Sequence, residues 1–405
     1  PDSGNAGYLE LRQTGEALDT TDYEVRVASA GTAGRDDLAG TFLWRESTET
    51  LDTAWRGWHS YRIPSRFGTV DYTTSSPGFR NPHAVAMADH TIVVSYHDRD
   101  ADEVRVAHRA ADATSWTTVT VRATPVSTSS GTVYDIPTCL VVVPRDGGER
   151  LILFHVTLEA QDNSGGDDWR LQNWYSDDAG ATWAAGARNI QGWSLAAVAD
   201  TVFRLRAVFH DGYITFALDG VETATQKWWH LVSRDVGATM ELIEAVNVAT
   251  HDLGYIDLHV LPSGSVLWVY LDTSVVTCAT MDGPYATIPD VEDFDTAVGA
   301  LSTLTATRFA SAMAPDGNVY IITTRLGAGD RHDFGVINVA DPSVTPPNAS
   351  RYGQRGAFDT ADTTEVLFDH GSSRSSSCLV AAQGSLHWIG QVTSSGPGDE
   401  SLYWL

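Results

Sequence analysis

The stretch "WYSDDAGATW", residues 174–183, directly overlaps the end of an alternating apolar and polar run, "WRLQNWY". Such alternation predicts a half-buried β-strand. The residues after it favour a tight turn, because Asp accepts hydrogen bonds from backbone N–H groups and Gly takes the left-handed backbone conformation. The closing Trp predicts an aromatic anchor beneath the turn. The residues that define the pattern are Ser176, Asp178, Gly180, Thr182 and Trp183.

A strand, a turn containing Gly or Asp, and a second strand recur along the chain. Several copies are followed by a third alternating strand, as in "EVRVAHRA" and "KWWHLVSR". A repeat of roughly 50 residues with this content is typical of one β-propeller blade, since a small sheet cannot bury both faces alone and radial neighbours bury each other. The sequence therefore predicts an all-β, six-bladed β-propeller over residues 61–405, with residues 1–60 as an N-terminal β extension or attachment segment. The six copies lie at 83–98, 138–156, 203–220, 256–272, 309–325 and 377–392.

The turn in residues 176–183 reproduces the S-x-D-x-G-x-T-W "Asp-box", and the chain from about residue 80 to 405 resembles the sialidases and related BNR-repeat propellers. A second copy, "SRDVGATM", keeps Ser, Asp, Gly and Thr but ends in Met240. A third, "RAADATSW", keeps Asp112 and Trp116 with a stretched spacing. The resemblance implies that these boxes are structural turns on the face away from the active site.

The charge balance is strongly acidic, with 52 acidic against 26 basic residues and a formal charge of −26. Lys227 is the only lysine. Such a surface repels itself at low salt and gains from screening, which is typical of proteins from extreme halophiles. A GC-rich gene would explain Arg in place of Lys, but it does not explain the excess of acid. Nucleic acid is not expected as a partner, because the field repels phosphate.

The remaining composition excludes several classes of site. There is no apolar run of about 18 residues, so no membrane insertion is expected. The first residues, "PDSGNAGYLEL", lack the basic and apolar segments of a secretory signal. Cys139, Cys278 and Cys378 are far apart in apolar runs, which favours buried core residues over a disulfide scaffold. No metal or cofactor is expected, since no two-histidine helical signature is present.

Propeller sites lie where the innermost strands begin near the axis. The resemblance implies three arginines that clamp a substrate carboxylate, the first from an R-I-P motif. "YRIPS" places Arg62 and matches the letters best, whereas "FRNPHAVAM" places Arg80 before the expected strand, turn and strand, and we prefer Arg80. A guanidinium suits this role because it binds carboxylate bidentately and keeps its charge. The alternative for each arginine is a salt bridge at the surface or between blades. The predicted substrate-binding set is Arg80, Arg308, Arg374, Asp135, His83 and His259, and Arg206 and Asp257 also fall near predicted strand starts.

Catalytic groups are less visible. The resemblance implies a Tyr nucleophile assisted by a Glu, and an Asp acid/base near the first blade. The loop "HDRDADE" offers Asp98, Asp100 and Asp102, of which we take Asp100, and Tyr352 is the best-placed tyrosine. No glutamate stands out. A uronate lyase would instead use His and Tyr; histidines near strand ends are His83, His97, His155, His210, His259 and His387.

The sequence therefore predicts a propeller that recognises an anionic cell-surface glycan without strong catalysis, with tryptophans in "WRGWHSY", "WSL" and "KWWH" as candidate sugar platforms. A glycan-facing chain without an export signal fits a host-attachment or decoration protein of a virus that infects a halophile. The N-terminal segment would then bind other virion subunits. The expected location is the virion, or the cytoplasm otherwise. The alternatives are a glycan-cleaving enzyme, either an exo-sialidase-like hydrolase or a uronate lyase, and a structural propeller used in assembly.

Overall fold

The chain divides into two compact units, residues 1–68 with 405, and residues 69–404. In the first unit the described residues form a short antiparallel hairpin of β1 (Thr41–Phe42) and β2 (Tyr61–Arg62). The predicted boundary after residue 60 remains a prediction. The structure, a computed structural model, describes residues 41–42, 61–62, 68–73, 79–111, 113, 115–127, 135–160, 167–186, 201–248, 251–272, 275–287, 308–315, 317–325, 331–338, 348–352, 377–382, 385–393 and 400–404.

The second unit is built of strands and turns throughout its described residues, which confirms the all-β prediction for that part of the chain. Each predicted pair of alternating runs forms an antiparallel hairpin. The strands are β3 (Gly68–Thr73), β4 (Phe79–Ala86), β5 (Ile92–Asp98), β6 (Glu103–Arg109), β7 (Thr117–Ala123), β8 (Val126–Ser127), β9 (Thr138–Arg145), β10 (Gly148–Ala160), β11 (Asp167–Ser176), β12 (Ala184–Ala185), β13 (Thr201–His210), β14 (Tyr213–Glu222), β15 (Thr225–Ser233), β16 (Glu241–Asn247), β17 (His251–Val260), β18 (Val266–Asp272), β19 (Val275–Met281), β20 (Arg308–Met313), β21 (Val319–Arg325), β22 (Arg331–Asn338), β23 (Asn348–Tyr352), β24 (Ser377–Ala382), β25 (Ser385–Thr393) and β26 (Glu400–Trp404).

The sheets have a propeller arrangement. Four of them are four-stranded: β4-β5-β6-β7, β13-β14-β15-β16, β20-β21-β22-β23 and β24-β25-β26-β3. The strands β17-β18-β19 form a three-stranded sheet, and β8 to β12 form a five-stranded one. One strand of each sheet, which we call its first strand, contacts that of the next sheet, from β4 through β9, β13, β17, β20 and β24, and β24 contacts β4 again.

Apolar side chains are buried between neighbouring sheets rather than on one common face. Leu140, Phe154 and Phe216 belong to a cluster that joins the second and third sheets, where the two phenylalanine rings meet edge to face at 4.8 Å. Other clusters join Trp228 to Trp268, and Ile92 to Cys378. Burial between radial neighbours is what a propeller requires, because each sheet has two apolar faces.

The strand β3 pairs with β26, so an early segment completes the last sheet. Asp71 of β3 accepts hydrogen bonds from Tyr96 Oη at 2.7 Å and from Arg105 Nη1 at 3.0 Å. Both partners lie in the first sheet. The contacts therefore tie the last sheet to the first through one carboxylate.

The turn Ser176–Trp183 is closed by its own side chains. Asp178 Oδ1 accepts from Thr182 N at 2.8 Å, and Ser176 Oγ accepts from Gly180 N at 2.9 Å. Trp183 Nε1 donates to the Gly180 carbonyl at 3.0 Å and its ring packs against the core. The turn 233–240 repeats the Asp and Ser bonds, through Asp235 and Ser233, with Met240 buried in the place of the Trp.

The strand register corrects the spacing of the third box. Arg109 pairs with Ile92, as Ser176 pairs with Leu151 and Ser233 with Ile214, each near the start of the neighbouring strand, so Arg109 stands where the other boxes have Ser. Trp116 then lies at the same offset as Trp183. The Arg109 guanidinium lies 5.6 Å from the Trp116 ring centroid and donates to Ala113 O at 3.0 Å.

Candidate functional site

A buried polar cluster lies where the first strands of the sheets meet. Arg206 of β13 donates from Nε to Asp257 Oδ1 of β17 at 2.6 Å and from Nη1 to Thr138 O of β9 at 3.4 Å. Its Nη2 donates to Pro82 O of β4 at 3.5 Å. One guanidinium thus links four first strands, and only 2% of Arg206 is exposed.

Asp257 is the only carboxylate that the described structure shows bonded to this guanidinium. Its Oδ1 also accepts from Arg204 Nη2 at 3.0 Å, and its Oδ2 accepts from Ser311 N at 3.3 Å and Ser311 Oγ at 2.9 Å. Burial alone would raise the pKa of Asp257, but the charges of Arg204 and Arg206 outweigh burial and hold that pKa well below its usual value. The carboxylate is therefore ionised, and all its acceptor positions are occupied by protein donors.

Side chains of the cluster form hydrogen bonds with backbone groups at the strand edges that face the middle of the ring. Leu140 N–H donates to His83 Nδ1 at 3.0 Å, and Ala207 N–H donates to Cys139 Sγ at 3.1 Å. Arg204 Nε donates to Ile256 O at 3.1 Å. Unpaired edge groups are costly when buried, so the neighbouring side chains stabilise the ring here.

The predicted substrate residues His83 and His259 lie in this region and are partly exposed. His259 Nε2 is 2.8 Å from Ser311 Oγ. Burial lowers the pKa of His259 to about 4. The negative charge of Asp257 opposes this shift, and the positive charge of Arg206 adds to it. Burial also places the pKa of His83 well below its usual value. Both imidazoles are therefore neutral hydrogen-bonding groups at neutral pH, and their substrate role remains a prediction.

Acid is expected to destabilise the fold progressively below about pH 6.5. Burial lowers the pKa of His155 to about 3, and burial lowers the pKa of His230 to about 4, as it does for His259. The unfolded chain binds protons at these histidines near 6.5, whereas the folded chain does not, so stability is full above that pH and falls towards pH 4. Heat-unfolding midpoints at constant salt measure the effect. His259→Gln should flatten the curve, and equal midpoints at pH 7 and pH 4 would contradict the expectation.

A second polar cluster lies at the start of β4 and the end of β5, and we name it the β4–β5 cluster: Arg80, His97, Arg99, Asp102 and Asp135. Arg80 and His97 are directly paired across the two strands, so their side chains share one sheet face. Arg80 Nη1 donates to Phe79 O at 2.8 Å, and its Nε lies 3.9 Å from Asp135 Oδ1. Arg99 Nη1 lies 3.4 Å from the same oxygen, and 28% of the Arg99 side chain is exposed.

His97 connects this face to the segment before β9. Its Nδ1 accepts from Ile136 N–H at 3.2 Å, and its Nε2 lies 3.5 Å from Asp102 Oδ1. His97 is fully buried, whereas 24% of the Asp102 side chain is exposed. Asp102 therefore places a partly exposed carboxylate against His97, which is itself paired with Arg80 across the two strands.

The other two carboxylates of the loop have different environments. Asp98 is 2% exposed and faces the opposite side of the sheet, where its Oδ2 lies 2.7 Å from Arg105 Nη1. Burial raises the pKa of Asp98, with bonds from the turn backbone and Arg105 opposing it. Asp100 is exposed, and its N–H donates to Asp98 Oδ1 at 3.1 Å. Asp98 therefore shapes the turn, and the predicted catalytic role of Asp100 remains a prediction.

The remaining predicted residues are placed only in part. Arg308 is the first residue of β20, and Tyr352 is the last residue of β23, paired with Phe334. The side chains of both, and the whole of Arg374, lie outside the described residues, as does the side chain of Arg62. The expectation that "KWWH" supplies a sugar platform is wrong, because Trp228 and Trp229 are each 1% exposed.

No group of three or more His, Cys, Asp or Glu in the described ranges could hold a metal ion. No described helix has the length and hydropathy to cross a bilayer. The cysteines Cys139, Cys278 and Cys378 are buried free thiols, and burial raises the pKa of each to about 12.

No protein-family model matches the sequence, and no curated protein sequence matches it. Solved structures do match. Trypanosoma rangeli sialidase with the inhibitor DANA has a TM-score of 0.52 and 12% identity, covering 90% of this chain and 57% of the sialidase. This chain thus spans just over half the length of that enzyme.

Two fungal enzymes match over almost their whole length. Penicillium chrysogenum α-L-arabinanase complexed with arabinobiose has a TM-score of 0.54 and 12% identity, covering 84% of this chain and 97% of the arabinanase. Fusarium graminearum α-L-arabinofuranosidase has a TM-score of 0.55 and 13% identity, with the same coverage. At these identities the likeness shows the fold alone, and the fold of this chain is the sialidase-like β-propeller that these glycoside hydrolases share.

Proposed function

We propose that the chain recognises an anionic glycan at the β4–β5 cluster. The observation that carries the proposal is the pair of guanidinium groups, Arg80 and Arg99, which both approach the same oxygen of Asp135, at 3.9 and 3.4 Å. Asp135 orients both groups, and Arg99 remains partly exposed. Guanidinium groups bind carboxylates bidentately and keep their charge at any physiological pH.

The net charge of the whole chain restricts where an anionic sugar can bind. At a formal charge of −26 the surface repels anions over a distance set by the salt concentration. An anionic sugar then binds only where cations are fixed at short range, and strong screening favours it. The similar solved structures bind or act on sugars: the T. rangeli enzyme is solved with sialic acid, and the arabinanase with arabinobiose. These likenesses support a carbohydrate as the ligand.

The number of blades is part of the proposal. Six sheets whose first strands contact in a closed cycle support six blades, one of which has three described strands. In such a ring Arg308 would start the first strand of the fifth blade. We propose that Arg308 and Arg374 reach the same ligand as Arg80. An experimental structure with an acidic oligosaccharide tests the convergence.

Arg99→Ala is expected to weaken binding of an acidic oligosaccharide by about 10- to 100-fold, since a charge-assisted hydrogen bond contributes roughly 1.5–3 kcal/mol. Calorimetry with oligogalacturonate and with sialyllactose, both in high salt, measures the loss. Arg234→Ala is the matched control, because the Arg234 side chain is 64% exposed, lies 3.8 Å from the Glu241 carboxylate and is not part of the β4–β5 cluster. Equal affinities for both variants and wild type would refute the proposed site.

A glycan-cleaving enzyme is the second candidate. The observation that favours it is Asp102, a carboxylate with one oxygen buried against His97 and the rest of the side chain partly exposed. Such a group can exchange a proton with a leaving oxygen. Sugar release from sialosides, arabinan and uronate polymers in high salt tests it, with Asp102→Asn and Asp100→Asn as the variants that separate the two carboxylates.

We also propose the setting in which this recognition occurs. The acid excess and the near absence of lysine support a high-salt environment. A host-attachment or decoration protein of a virus that infects a halophile would use a glycan site of this kind and bind other subunits through residues 1–60. Binding of the purified chain to halophile envelopes, and its loss in Arg99→Ala, tests the attachment role.

A further inference from the structure

We propose that Asp102, positioned by His97, selects hydroxyl groups of the bound glycan, so that the site takes carboxylated sugars and rejects sulfated ones. The proposal rests on glycan recognition at the β4–β5 cluster. In this arrangement a positive and a negative side chain contact different groups of the ligand. Arg99 meets the sugar carboxylate, and Asp102 meets the hydroxyl groups beside it.

The hydrogen bonds of His97 determine its tautomer. Because Nδ1 accepts the Ile136 N–H, the proton of the neutral ring must be on Nε2. That N–H lies 3.5 Å from Asp102 Oδ1. Both atoms are buried, and within the described part of the chain neither has a hydrogen-bond partner, so each is the other's polar neighbour at 3.5 Å. His97 Nε2 therefore faces one oxygen of the carboxylate, at a distance slightly too long for a full hydrogen bond.

Asp102 is also held by its own backbone. Its carbonyl accepts from Thr124 N at 2.7 Å, and its φ of 50° places it in the left-handed region that Asp tolerates better than most residues. A residue held by its main chain, with Oδ1 packed against His97, loses little entropy when its other oxygen accepts a ligand bond. The carboxylate is thus pre-organised as an acceptor.

The position of Asp102 determines what it can bind. Arg99 and Asp102 lie in the same turn between β5 and β6, three residues apart. A sugar acid that places its carboxylate on Arg99 puts a neighbouring hydroxyl within reach of that turn. An ionised carboxylate only accepts hydrogen bonds, so it favours hydroxyl donors and repels a sulfate at the same place.

The neighbouring carboxylates do not compete for this role. Asp98 faces the other side of the sheet and is bound to Arg105, and Asp100 lies at the exposed tip of the turn. Of the three, only Asp102 lies against His97 on the arginine side.

Binding of oligogalacturonate and of its O-sulfated form to wild type, Asp102→Asn and His97→Gln tests the selection. Wild type should prefer the unsulfated sugar by about tenfold or more. Asp102→Asn should bind the unsulfated sugar about tenfold more weakly than wild type does, and it should bind the sulfated sugar at least as tightly as wild type does. His97→Gln should shift the ratio in the same direction, and the double variant should match Asp102→Asn, because the two residues act as one unit.

The ratio of the two affinities separates selection from general damage, which lowers both. An unchanged ratio in Asp102→Asn, with Arg99→Ala still weakening binding as expected, overturns this inference alone. Absence of any binding to wild type overturns the proposed function and the selection with it. ¹⁵N NMR of labelled histidine tests the positioning without ligand: an Nε2–H tautomer whose signal moves in Asp102→Asn supports it, and an Nδ1–H tautomer overturns it.

Discussion

Asp257→Asn is expected to destabilise the fold by about 3–5 kcal/mol, the cost of removing one partner from a buried ion pair. Asp257 is 6% exposed, and Arg204 and Arg206 are 1% and 2% exposed. The amide cannot neutralise two guanidinium groups, and it replaces an acceptor with a donor opposite them. Two buried cations then face each other without compensation. A large loss in the midpoint of urea unfolding, measured in high salt, is the expected result.

Asp177→Asn is the matched control for this substitution. Asp177 also accepts from two arginines, Arg145 Nη1 at 2.7 Å and Arg150 Nε at 2.8 Å, but 39% of its side chain is exposed. Exposed pairs contribute about 0–1 kcal/mol, because water already solvates both charges. The two variants remove the same chemical group from the same kind of partner. Equal destabilisation in both would show that burial at the ring centre is not what makes Asp257 important.

The strands could be predicted from the sequence because apolar residues either alternate with polar ones or form short runs, such as "IVVSYHD" of the fully buried β5, between turns rich in Gly and Asp. The closing of the last sheet by β3 could not, since "GTVDYT" carries no signal for a partner at the other end of the chain. The same limit applies to Arg206 and Asp257, which the sequence places near strand starts. In the structure β13 and β17 begin earlier, so both residues lie inside the strands and point to neighbouring first strands.

The β4–β5 cluster was predicted only in part. Arg80 and Asp135 precede or begin apolar strands, which a motif can indicate. His97 could not be separated from the other histidines near strand ends, because its role depends on a register that pairs it with Arg80 and on a contact with Ile136. Arg99 was hidden among the acids of "HDRDADE". The available signal was that a cation in so acidic a loop needs a partner.

Gly237→Ala is expected to destabilise the fold by at least about 3 kcal/mol, which combines a backbone cost with overpacking. Gly237 has a φ of 88°, and a Cβ built there would lie 2.7 Å from Phe154 Cζ and 3.2 Å from Asn173 Nδ2. Phe154 is fully buried against Phe216, and Asn173 Nδ2 already donates to the Gly237 carbonyl at 3.0 Å. Neither neighbour can move without disturbing the contact between the second and third sheets.

Gly212→Ala isolates the backbone contribution. Gly212 has a φ of 83° in the two-residue turn between β13 and β14, and a Cβ there would meet nothing within 4 Å. The left-handed conformation alone should cost about 1 kcal/mol. The difference between the two variants in urea unfolding therefore measures how tightly the 233–240 turn is packed against the preceding sheet. If Gly237→Ala costs no more than Gly212→Ala, that turn closes its own hairpin but does not join the sheets.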